Sequence, residues 1–136
     1  MIVLSNEEMA YVNDVLAKRH VIDSYKKSKK LLGISEISLL KIKNGMPIKE
    51  RAAYKILKNV DYPMYKEVLK EKLLCDEAIK DLFIEIFDRD LNIEEIAKEI
   101  GYSDVLLFNI LGGRQQMKDV SLDKIIKKIE EVISND

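Results

Sequence analysis

Two stretches of the chain are versions of one phrase. Residues 33–45 read GISEISLLKIKNG and residues 101–113 read GYSDVLLFNILGG, aligned without a gap at an offset of 68. The identities are Gly33/Gly101, Ser35/Ser103, Leu39/Leu107, Ile42/Ile110 and Gly45/Gly113, and Glu36/Asp104, Ile37/Val105 and Leu40/Phe108 are conservative. Each identity has a geometric job. Glycine takes the tight turn between two short helices, serine caps the second helix, and apolar residues three apart face one side of it. The 136 residues suffice for one core or for two small ones of about 60 residues, and a duplicated scaffold fits the second arrangement.

The rest of the chain reads as helix. SNEE sets Ser5 and Glu8 in capping-box spacing, so a helix is expected to begin near Asn6 and run to about Lys18, with Met9, Val12 and Leu16 as its inner stripe. VIDSYKKSKKLLG is helical by composition and stops at Gly33; EISLLKIKN follows, capped by Ser35, and stops at Gly45. MPIKERAAYKILKNV is expected to place Pro47 in a first helical turn, with Ile48, Ala52, Ile56 and Val60 at spacing four. Residues 64–88 read as one long or two short amphipathic helices, breaking near Asp76. NIEEIAKEIG, SDVLLFNILGG, the loop RQQMKD and a last helix SLDKIIKKIEEVI capped by Ser121 restart the pattern. No segment sustains period-two alternation. The expected fold is all α, two tandem tetrahelical helix-turn-helix units joined by amphipathic helices, with divisions at residues 1–62, 63–90 and 91–136.

Composition narrows the function. With 47% apolar and 35% charged residues, disorder and collagen-like classes are excluded. No apolar run approaches the roughly 20 residues of a membrane span, and MIVLSNEEMA lacks signal-peptide architecture, so no membrane partner and a cytoplasmic, nucleoid-associated location are expected. One cysteine, Cys75, and one histidine, His20, do not make a zinc constellation; no metal and no cofactor are expected. The net charge of −1 conceals an asymmetry: residues 18–58 hold twelve basic and three acidic residues, a net of +9, and the remainder eleven and twenty-one, a net of −10. That is the footprint of a polyanion-binding surface, although charge runs also serve as ordinary solvated faces.

The residues LLGISEISLLKIKNGMPIKERAAYKI, above all GIS, IKNG and PIKERAAY, resemble the tetrahelical helix-turn-helix domains of the phage Cro and repressor type. IEEIAKEIGYSDVLLFNILGG resembles them again, with Ile96, Ala97 and Gly101 at the family's apolar, small and turn positions. Lys29 stands at the small position of the first copy, which departs from the pattern; either the helix entry angle differs slightly or the lysine stem snorkels out of the helix pair with its ammonium in water. The resemblance covers about 40 residues in each half and implies double-stranded DNA as partner, with the second helix of the motif in the major groove. It implies presentation of Ser35, Glu36, Ile37, Leu40, Lys41 and Asn44. Lys41 or Lys43 would meet guanine or phosphate, Asn44 adenine or phosphate, and Ile37 or Leu40 thymine methyls. Lys26, Lys27, Lys29, Lys30, Lys49 and Arg51 would neutralise phosphates.

The second copy presents Ser103, Asp104, Val105, Phe108, Asn109 and Gly112, with no cation on that helix. Arg114, Gln115, Gln116 and Lys118 follow in the loop as its polar readers. An apolar pair beside an aspartate suits a protein better than a phosphate, so this copy is a second DNA or protein contact. The expected function is duplex-DNA binding, as a transcriptional regulator reading mainly through the first copy. The alternatives are an architectural or recombination-accessory DNA binder, or a protein-interaction module on the same scaffold. A homodimer through residues 64–88 or through the second copy would serve a palindromic site. No phosphate-cradling glycine loop, nucleophile motif or His/Cys pair supports catalysis, so no enzyme is expected.

Overall fold

Short polar residues begin most of the helices. In the computed structural model, which describes residues 1–135, Ser5 accepts a hydrogen bond from the Glu8 amide at 3.1 Å while the Glu8 carboxylate accepts from the Ser5 amide at 2.9 Å. This capping box starts α1, Asn6–Lys18, at the expected residue. α2, Tyr25–Leu32, is capped by Ser24, and α3, Glu36–Lys43, by Ser35. α4 is Glu50–Asn59 and α5 Tyr65–Lys72. Asp76 caps α6, Glu77–Asp88, so the amphipathic stretch breaks where the sequence places the break. Asn92 caps α7, Ile93–Ile100, Ser103 caps α8, Asp104–Leu111, and α9 is Asp119–Ser134. The protein is all α; among the described residues the only β pairing is one antiparallel bridge between Ile2 and Ile48.

The helices fall into two compact units, Met1–Lys72 and Leu73–Asp136. Residues 63–90, read from sequence as a connecting segment, divide between them: α5 goes with the first unit and α6 with the second. The cause for α5 is packing on α4 and an ion pair, 2.7 Å, between Lys72 and the largely buried Glu8 carboxylate. In the first unit α2 packs on α3 and α4, and Leu32, Leu39, Ile56 and Leu57 are buried, as are Val12 and Leu16 of α1. In the second, α7 packs on α8 and α9, and α6 on α9, around Ile79, Phe83, Ile96, Leu107, Ile125 and Ile129. Burying each such side chain contributes about 1.5–3 kcal/mol.

Two helix starts differ from the sequence reading. Pro47 is not in a first turn, because Ile48 exchanges both backbone hydrogen bonds with Ile2, at 2.7 and 2.8 Å, and α4 begins only at Glu50. Ser121 lies inside α9, whose cap position is Lys118. Among the described residues no helix is long and apolar enough to cross a membrane.

Candidate nucleic-acid interface

The duplicated phrase has the same local structure in both units. α2 and α7 correspond residue for residue at the offset of 68, as do α3 and α8. Gly33 and Gly101 make the turns with φ of 70° and 82°, a region open to glycine at little cost. Ser35 and Ser103 each accept a hydrogen bond at 3.1 Å from the amide three residues on. Leu39 and Leu107, Ile42 and Ile110 are buried in pairs. The outward positions match as well: Ile37 is 67% exposed and Val105 62%, Leu40 40% and Phe108 38%. Both units therefore present an apolar pair, one helical turn apart, on the second helix of the motif.

Charge separates the two faces. Lys26, Lys27 and Lys30 on α2 and Lys43 on α3 are exposed, Lys29 and Lys41 half-buried, and Lys49 exposed at the start of α4. Among the described residues none of these lysines has a carboxylate partner. Arg51 is half-buried and engaged within the protein. At the positions equivalent to Lys26 and Lys27 the second unit carries exposed Glu94 and Glu95, and Asn109 and Leu111 replace Lys41 and Lys43. Split at the structural boundary, the sequence has fifteen basic and nine acidic residues in the first unit, a net of +6, and eight and fifteen in the second, a net of −7.

Several expected readers are occupied by their own backbone. Ser35 and Ser103 spend their hydroxyls as caps. Glu36 and Asp104 occupy first turns, where the helix dipole favours a carboxylate whatever the ligand. The Asn44 amide donates to the Leu40 carbonyl at 2.9 Å, closing the C-terminal end of α3, so its pairing with adenine would require that bond to open. In the second unit Arg114 folds back: Nε donates to Asn109 Oδ1 at 3.1 Å and Nη2 to the Phe108 carbonyl at 3.2 Å. That guanidinium neutralises the carbonyl end of α8 and takes Asn109 with it. Gln115 and Gln116 line a cleft of about 360 Å³ with Cys75, Asp76 and Met117, and Lys118 is exposed at the start of α9. Gly112 is buried directly under the Arg114 side chain and presents nothing outward.

One residue of the basic face is absent from the sequence reading. Tyr25, 52% exposed at the start of α2, lies under the Lys43 ammonium, 5.6 Å from its ring centre. The contact ties the end of α3 to the start of α2 and places an aromatic face among lysines; the SYKK spacing, an aromatic interleaved with cations, was the signal for it. Compared with protein-family models, curated proteins and solved structures, the chain matches none.

Proposed function

We propose that the chain binds duplex DNA through the first unit, with α3 as the helix entering the major groove and the α2 lysines on the phosphate backbone. The observation that carries the reading is a set of exposed lysines, free of carboxylate partners, on the two helices of a motif that resembles the Cro and repressor type. Ordinary solvated lysines on helices are commonly interleaved with carboxylates at spacings three and four. α2 has none at all, and α3 has one, in its first turn. Ile37 and Leu40 then supply apolar contact to thymine methyls, Lys41 and Lys43 reach guanine edges or phosphates, and the second unit lends little to polyanion binding. The regulatory role follows from the same resemblance and requires specific over non-specific affinity of at least about 10³.

The test is binding of the full chain to a random pool of duplexes across a salt series, followed by selection of genomic fragments. The reading predicts salt-sensitive binding that falls in the variant Lys41→Ala with Lys43→Ala, at nearly unchanged thermal stability. Binding that survives that double change would remove α3 as the reading helix. Binding without any enriched fragment would leave an architectural role in place of a regulatory one.

A further inference from the structure

The two units carry equivalent outward apolar pairs beside charges of mostly opposite sign, with Lys98 keeping the sign of Lys30 and Asp104 that of Glu36. Ile37 and Leu40 on α3 have the same spacing and nearly the same exposure as Val105 and Phe108 on α8. On the neighbouring helix of the motif, Lys26 and Lys27 in one unit stand where Glu94 and Glu95 stand in the other, all four exposed. Neither glutamate has an ion-pair partner among the described residues. We infer that the α7–α8 face of the second unit docks on the α2–α3 face of the first unit of another copy of this chain.

The charges choose this pairing over its rivals. Joining two α2–α3 faces sets lysines against lysines, and joining two α7–α8 faces sets glutamates against glutamates, arrangements that like-charge repulsion disfavours. The mixed pairing opposes Lys26 and Lys27 to Glu94 and Glu95 and covers both apolar pairs at once. Such a contact is heterologous, so it either closes as a reciprocal pair, each copy giving one face of each kind, or propagates head to tail. One helix face is small against the roughly 1,200–2,000 Å² of a stable interface, so a reversible, salt-sensitive association is expected. The inference goes beyond DNA binding and stands without it, since association is read with no nucleic acid present.

The experiment is the sedimentation-derived mass of the full chain from about 5 to 500 µM, at low and high salt, a range suited to a small reversible interface. Mass is expected to rise with concentration from 15.7 kDa to at least twice that value at low salt, and to fall back at high salt. The variants Lys26→Glu with Lys27→Glu, and Glu94→Lys with Glu95→Lys, should each be monomeric alone. Mixed one to one they should associate, and the fourfold variant carrying both reversals should recover the behaviour of the original chain. All four changes are at exposed positions, and helical circular dichroism checks that each variant is folded. A chain that stays monomeric throughout overturns the inference. So does an association that neither reversal moves, or a fourfold variant that fails to recover.

Discussion

The α2–α3 pair of the first unit and the α7–α8 pair of the second share turn, cap, buried leucine and isoleucine, and even an exposed apolar pair, yet differ at most charged positions, with Lys30/Lys98 and Glu36/Asp104 keeping their sign. The shared positions are those whose geometry the backbone demands. Of the divergent ones, Lys26, Lys27, Glu94 and Glu95 face water, where substitution costs about 0.5 kcal/mol or less of stability, whereas Ala97 and Leu111, opposite Lys29 and Lys43, are buried. Scaffold and chemistry are thus separable at the level of single residues: positions 39 and 107 carry the fold, positions 26, 27, 94 and 95 carry the sign of the surface.

If that separation holds, the largest stability effects should be equal in the two copies. Leu39→Ala and Leu107→Ala remove side chains that are 0% and 1% exposed, and each should cost about 2–5 kcal/mol in urea unfolding of its own unit. A cost confined to one copy would break the equivalence. Gly45 and Gly113, identical in sequence, should then part company. A Cβ on Gly113 would stand 2.5 Å from the Leu74 carbonyl oxygen, whereas one on Gly45 meets nothing within 4 Å. Gly45→Ala bears only the positive-φ penalty of about 1 kcal/mol, and Gly113→Ala should cost about 2–3 kcal/mol, since backbone must shift. Equal melting shifts would show that the second turn relaxes freely. The capping serines come next: Ser35→Ala and Ser103→Ala should each cost about 1 kcal/mol, with Asn at either position restoring most of it. The smallest effect is expected from Tyr25→Ala, about 0.5 kcal/mol or less from an exposed cation–π contact, read by denaturation at low salt.

What the sequence made legible was local. The capping box of α1, the turn glycines, the serine caps, the break at Asp76 and the buried pairs all depend on residues within four positions of one another, and the structure has each of them. What it hid was non-local or spent on hydrogen bonds. The start of α4 moved because Ile48 pairs with Ile2, forty-six residues away. α5 belongs to the first unit because Lys72 reaches Glu8. Arg114, Asn109 and Asn44 read as polar residues available to a ligand, but Asn44 donates to the Leu40 carbonyl and Arg114 to the Phe108 carbonyl, each at a helix end, and Asn109 accepts from Arg114. Tyr25 is hidden for the converse reason: in sequence an aromatic among lysines reads as helix composition, and only its exposure sets it apart.

The same face of α3 is assigned both to DNA and to the second unit of another copy, so the two partners should exclude one another: duplex added to the associated chain should lower its protein-only oligomer content, and high protein concentration should weaken duplex binding. The central claim, that sign and not scaffold divides the units, is tested most directly by duplex affinity of the full chain across a salt series in three forms. Lys26→Glu with Lys27→Glu should lower affinity by about 10- to 100-fold at low salt and flatten the log–log salt slope by about 2, while Glu94→Lys with Glu95→Lys should leave affinity unchanged or raise it. Equal losses in both variants, or none in the first, would contradict it.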